Sequence, residues 1–223
     1  MAGPELERER EQVAAACRRL AVEGLVVGTA GNVSARHGEH VAISATGAVL
    51  ADAGAEHVTV VDMDGRVVGG ELAPTSELDL HLGVYRRYGA GAVVHTHAPM
   101  ATALSCVLDA ELPCVHYSML LLGGAVRVAP YATFGTPELA ESVLDALDGR
   151  TGALMANHGA LTHGQDLEGA VESALLLEWA CTVYWRAAAL GSPRVLDEDQ
   201  RQAVVDAAVR RGYGTTKPVE EGA

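Results

Sequence analysis

The sequence predicts an α/β fold of three layers, a mixed central sheet flanked by helices, and three observations predict it. Short alternating apolar runs are joined both by tight turns and by long crossovers, which calls for antiparallel and parallel pairing in one sheet. Helical apolar periodicities are interspersed among these runs. The chain has 223 residues and 49% apolar composition, enough to bury a substantial core. There is no internal repeat and no low-complexity linker, so one domain over 1–223 is expected, with a mobile tail from about residue 212.

Leu6, Val13, Cys17 and Leu20 recur at helical spacing among charges, and Gly24 stops that first helix. Gly28-Thr29-Ala30-Gly31-Asn32 is too glycine-rich for a regular element. Strands are expected around Val33, over Val41 to Ser44 and over His57 to Val61, with Asp64-Gly65 a hairpin turn. Pro74 and Thr75 open a helix whose face carries Leu78, Leu82 and Tyr85, with Thr75 or Ser76 as its N-cap and Glu77 in its first turn. A buried strand over Ala92 to His97 precedes a short helix, Met100 to Val107, and strands at Val115 to Tyr117 and Val126 to Val128. Thr136-Pro137 starts a helix running to about Leu147, since proline is preorganised for the first helical position. A strand over Ala153 to Asn157 delivers His158. Asp166 caps a long helix to about Leu190, and a last helix spans Asp197 to Arg210.

The formal charge of -13 argues against a surface that neutralises nucleic-acid phosphates or anionic lipid, so neither partner is expected. A small anion remains acceptable, because a metal and a few backbone amides reverse the sign locally. No run approaches the apolar length of a membrane span, and the start MAGPELERERE is acidic rather than basic then apolar; a cytoplasmic location is expected. Cys17, Cys106, Cys114 and Cys181 show no CxxC spacing and read as buried thiols in a reducing compartment.

His95-Thr96-His97 ends an apolar strand, and side-chain alternation projects both imidazoles from one face. His158, followed by a glycine that permits close backbone approach, ends another. Three imidazoles with one open position is the donor pattern of a catalytic zinc, whereas a structural site is closed by a fourth protein ligand. Taken singly each feature has an ordinary explanation: nine histidines make a close pair unremarkable, Glu77 suits a helix dipole, and Tyr117 suits a half-buried strand. His37, His40, His57, His81, His116 and His163 read as structural.

Taken together, GTAGNVS at 28–34, SATG at 44–47, PTSE at 74–77, HTH at 95–97, HY at 116–117, APYATFGT at 129–136 and NHG at 157–159 resemble the class II aldolase and adducin head family, in its fuculose-phosphate aldolase branch, over nearly the whole chain. The resemblance implies zinc on His95, His97 and His158, with Glu77 completing the resting coordination and then acting as general base. It implies a substrate phosphate held at Gly31, Asn32, Thr46, Gly47, Thr75 and Ser76, the last two at a helix start that favours an anion. The family's Ser-Ser-Glu reads Thr75-Ser76-Glu77 here, which keeps the hydroxyl. Tyr117 matches a tyrosine contributed across a subunit interface, so a homotetramer is implied, and Tyr213 looks like the family's mobile C-terminal tyrosine.

The expected reaction is reversible cleavage of a ketose 1-phosphate, either L-fuculose 1-phosphate or a 5-deoxypentulose 1-phosphate, to dihydroxyacetone phosphate and a small aldehyde. A Glu77 carboxyl that leaves the metal for a drier pocket is expected to have a raised pKa, which suits a proton shuttle. The alternatives are a sugar-phosphate 4-epimerase, which would carry aspartate at position 77, a dehydratase of the same fold, or a non-catalytic adducin-like binding domain, which would have lost metal ligands.

Overall fold

The computed structural model describes residues 6–212. Helix α1 (Glu7–Val22) precedes an antiparallel meander of β1 (Asn32–His37), β2 (His40–Ser44), β3 (Val58–Asp62) and β4 (Val67–Gly69). There follow α2 (Leu78–Tyr88), β5 (Ala92–Thr96), α3 (Pro99–Ser105), β6 (Glu111–Leu112), β7 (Val126–Ala129) and α4 (Pro137–Ala146). The hairpin β8 (Gly152–Met155) and β9 (Gly159–Gly164) leads into α5 (Leu167–Leu190) and α6 (Glu198–Arg211).

The sheet order is β4-β3-β2-β1-β5-β9-β8-β7-β6. Among the described residues only β7 and β8 pair in parallel, so the sheet is mixed, as the sequence predicts. Adjacent residues of β5 face opposite layers: Val94 packs with Val13, Leu20 and Leu177 under α1 and α5, and Val93 packs with Leu82, Tyr85 and Val143 under α2 and α4. Both faces being covered, the central strands are apolar on each side, and the helices form the outer layers of a three-layer α/β fold.

Helix starts follow the capping chemistry in the sequence. Thr136, Asp166 and Asp197 each accept a backbone N–H two or three residues into α4, α5 and α6. Glu77 departs from expectation. It occupies the N-cap position of α2 instead of the first turn, and its side chain makes no capping bond. Thr75 Oγ1 accepts the Glu77 N–H, which leaves the carboxylate directed inward.

Three further expectations are corrected. Residues 115–117 do not form a strand; a 3-10 helix over Tyr117–Leu122 begins there because His116 Nδ1 accepts the Ser118 N–H at 3.1 Å. Strand β9 has no counterpart in the sequence reading. It lies between β5 and β8 with both faces covered, so its GALTHG shows no alternation of apolar and polar residues. Cys17, Cys114 and Cys181 are buried, but Cys106 is exposed at the C-terminal end of α3. Among the described residues no helix is long and apolar enough to cross a membrane.

Candidate metal centre and active site

Two strand ends build the centre. His95 is wholly buried in β5, and His97 stands two residues on, just past the strand. His158 sits in the turn of the β8–β9 hairpin, beside Asn157 with its positive φ of 56°. Pairing of Thr96 with Ala160 brings that turn against the end of β5. Two glycines allow the approach. A Cβ at Gly159 would lie 2.3 Å from the Thr96 carbonyl oxygen, and one at Gly31, where φ is +97°, would lie 2.8 Å from that of His95.

The three imidazoles meet edge to face, each pair with ring centroids 4.9 Å apart. His95 Nδ1–H donates to the Ala160 carbonyl at 2.9 Å, so its Nε2 carries a lone pair. That Nε2 is 3.0 Å from His97 Nε2 and 3.2 Å from Glu77 Oε2, and Glu77 Oε1 is 3.6 Å from His158 Nε2. Glu77 Oε1 is buried and has no hydrogen-bond partner. Ligand atoms of His95, His97 and His158 lie within 4.8 Å of one another. Around a tetrahedral ion with bonds of about 2.0–2.1 Å, ligand atoms stand about 3.3 Å apart. The observed separations and converging lone pairs fit a divalent cation, with nitrogen donors of the kind zinc prefers.

The charge states suit that use. Burial pushes the imidazole of His97 down to about 4 and also lowers that of His158, so both are neutral and able to ligate near pH 7. Burial alone would raise the Glu77 carboxyl; the facing imidazoles when protonated, His95 foremost, and the amide of Asn32 outweigh it and hold the carboxyl below the ordinary range in the metal-free site.

His81, on α2 one turn beyond Glu77, is wholly buried and pushed down to about 3 from 6.5 by loss of solvation. A depressed histidine stabilises the fold fully above its unfolded value of 6.5 and loses that contribution as pH falls toward 3. Lowering the pH of metal-free protein from 7 to 5 is therefore expected to cost about 2 kcal/mol from His81 alone, read by urea unfolding at each pH. His81→Gln should flatten that dependence.

Gly31, Asn32, Thr46, Gly47, Thr75 and Ser76 all line one cavity of about 400 Å³ together with Glu77, His97 and His158. The Thr46 and Thr75 amides are engaged by the carbonyls of Ala73 and Ser44, so those residues have only hydroxyls to offer an anion. Asn32 is similarly committed: Nδ2 donates to Glu77 Oε2 at 2.9 Å and Oδ1 accepts from His81 Nε2–H at 2.5 Å. Tyr131 and Phe134, which the sequence offers only as part of a motif, are exposed and line the same cavity. Tyr117 does not line the cavity; it is 44% exposed and packs on His116, which also meets Trp179. Tyr213 lies outside the described residues. His163 faces away, stacked on Tyr88 with centroids 5.6 Å apart. The sequence reading missed the chemistry of Ser34, His81 and Tyr85, although their spacing signals it: 32 and 34 share a strand face, and 77, 81 and 85 share a helix face.

The family described as Class II Aldolase and Adducin N-terminal domain matches residues 11–185. The chain is 37% identical over 212 residues to a 5-deoxy-D-ribulose 1-phosphate aldolase of Bacillus thuringiensis serovar kurstaki, covering 94% of this chain and 98% of that one. It is 37% identical over 193 residues to a 5-methylthioribulose-1-phosphate/5-deoxyribulose-1-phosphate aldolase of Rhodospirillum rubrum, covering 86% of each. Among solved structures, an L-fuculose 1-phosphate aldolase superposes with a TM-score of 0.87 at 32% identity, covering 92% of this chain and 98% of that chain.

Proposed function

The chain belongs to the class II aldolase and adducin N-terminal domain family, and from that premise we propose that it is a metal-dependent aldolase cleaving a ketose 1-phosphate to dihydroxyacetone phosphate and a small aldehyde. The observation that carries this reading is the buried Glu77 carboxylate, set against His95 and His158 at the back of the cavity lined by Gly31, Thr46 and Ser76. His95, His97 and His158 would hold zinc, which when bound supplies a Lewis acid that polarises the oxygens beside the breaking bond.

The chain's own groups do the rest. Hydroxyls of Thr46, Thr75 and Ser76, with the backbone around Gly31 and Gly47, bind the phosphate at the entrance of α2 and so fix the ketose. In cleavage, the C4 hydroxyl passes its proton to the Tyr117 oxygen as the C3–C4 bond breaks, the Glu77 carboxyl gives a proton to C3 of dihydroxyacetone phosphate, and proton exchange with solvent resets both groups. In condensation the Glu77 carboxylate takes that C3 proton and the aldehyde oxygen is protonated. Tyr117 is the donor at the aldehyde oxygen, and Tyr213, outside the described residues, is a second tyrosine that the family resemblance assigns to the reaction. Because Tyr117 does not line the cavity of its own chain, a second copy supplies it, and the working unit is a cytoplasmic homotetramer.

The pairing of a 5-deoxyribulose and a 5-methylthioribulose phosphate aldolase among the relatives supports a substrate with an apolar far end, which the exposed Tyr131 and Phe134 would face. The test is release of dihydroxyacetone phosphate from 5-deoxyribulose 1-phosphate and L-fuculose 1-phosphate, with bound metal quantified and with chelator added. Chelator-sensitive cleavage is expected; stoichiometric metal without cleavage would sink the aldolase reading in favour of an epimerase or dehydratase. Tyr117→Phe is expected to lower kcat roughly 10²-fold with metal content unchanged. An equal fall in both would make the tyrosine structural.

A further inference from the structure

We propose that His81, backed by Ser34 and Tyr85, is a positioning residue that fixes the orientation of Asn32 and through it holds the Glu77 carboxyl in place. The inference rests on the reading of Glu77 as the proton-transferring group. Five side chains form one buried line: Tyr85 OH to Ser34 Oγ at 2.6 Å, Ser34 Oγ to His81 Nδ1 at 2.6 Å, then His81 to Asn32 and Asn32 to Glu77. Ser34, His81 and Tyr85 are at most 1% exposed, and Asn32 and Glu77 are each 6% exposed.

The direction of every hydrogen in the line follows from its acceptor end. An ionised carboxylate only accepts, so Asn32 must turn Nδ2 to Glu77 and Oδ1 to His81. His81 must then carry its proton on Nε2, leaving Nδ1 to accept from the Ser34 hydroxyl. Ser34 in turn accepts from Tyr85. A reversed Asn32 would set Oδ1 against the carboxylate, and the Nε2–H of His81 is what opposes that flip. Asn32 also pairs opposite His95 in the sheet, so the line enters the centre beside a candidate metal ligand.

The two Glu77 oxygens are thereby made unequal. Oε2 is held by Asn32, while Oε1 is buried, lacks a hydrogen-bond partner and faces His158. Asn32 therefore anchors the carboxyl through Oε2, and that anchor holds the proton-transferring group in place during turnover. A half-satisfied polar line in the core costs stability, and this one is satisfied at every link up to Oε1.

The test compares His81→Leu with His81→Gln in metal-loaded protein. Measured are kcat and KM for cleavage of 5-deoxyribulose 1-phosphate, solvent deuterium exchange at C3 of dihydroxyacetone phosphate alone, metal content, and folding by circular dichroism. His81→Leu is expected to lower kcat and exchange together, roughly 10- to 100-fold, with KM and metal content little changed. His81→Gln, whose amide can still donate to Asn32 Oδ1, is expected to recover most of the loss. A folded His81→Leu protein with undiminished exchange would overturn the proposal, as would a glutamine variant no better than leucine, or a loss that tracks metal content. If the leucine variant does not fold, Ser34→Ala carries the test, with reduced exchange at full metal content supporting the proposal and undiminished exchange refuting it. Wild-type protein that neither cleaves nor exchanges, or a Glu77→Gln variant that exchanges normally, defeats the reading of Glu77 itself and not only its positioning.

Discussion

Glu77→Gln is expected to lower turnover by roughly 10²- to 10⁴-fold while the fold and the metal are retained, because a sole general base contributes on that order. The substitution preserves shape. The glutamine's carbonyl oxygen can still accept from Asn32 Nδ2, now 2.9 Å from Oε2, so the Asn32 amide keeps its partner. What is lost is the basic oxygen Oε1 beside His158. Deuterium exchange at C3 of dihydroxyacetone phosphate isolates that loss, since exchange needs the base but no aldehyde. An unchanged exchange rate would remove Glu77 from proton transfer.

His97→Ala should be the complementary failure, with metal lost first and turnover lost in consequence. His97 is the choice because it is only partly buried, whereas His95 is wholly buried and bonded to the Ala160 carbonyl, so that its removal would confuse binding with folding. Two imidazoles and a carboxylate remain, and the expected outcome is a substoichiometric metal content after dialysis. Turnover should fall roughly 10³-fold, since Lewis-acid assistance is worth several kcal/mol in the transition state. Partial recovery in excess zinc would mark weakened affinity. Full metal content in the dialysed variant would exclude His97 as a ligand. The two variants differ in kind: one keeps metal and loses the base, the other keeps the base and loses metal.

The sequence made the outer layers legible because the signals there are local. Thr136-Pro137, Asp166 and Asp197 start helices within a residue of where their hydroxyls and carboxylates cap them. HTH on an apolar strand is equally local: residues two apart on a strand share a face whatever else the chain does. The candidate set of His95, His97, His158 and Glu77 was therefore open to reading from motifs, and the chain's packing brings those four within contact of one another.

What the sequence by itself determined was the mixed α/β fold, most element boundaries and the types of donor at the centre, all set by periodicities of two and 3.6 and by caps a few residues long. Only the tertiary structure decided that 159–164 is a strand between β5 and β8, that Glu77 stands at an N-cap with its carboxylate turned inward, and that Ser34, His81 and Tyr85 stand in line behind Asn32. The reason is physical. A strand covered on both faces has no polar alternation to reveal it, and a hydrogen-bond line from β1 to α2 spans separations of 45 to 51 residues, which no local pattern encodes.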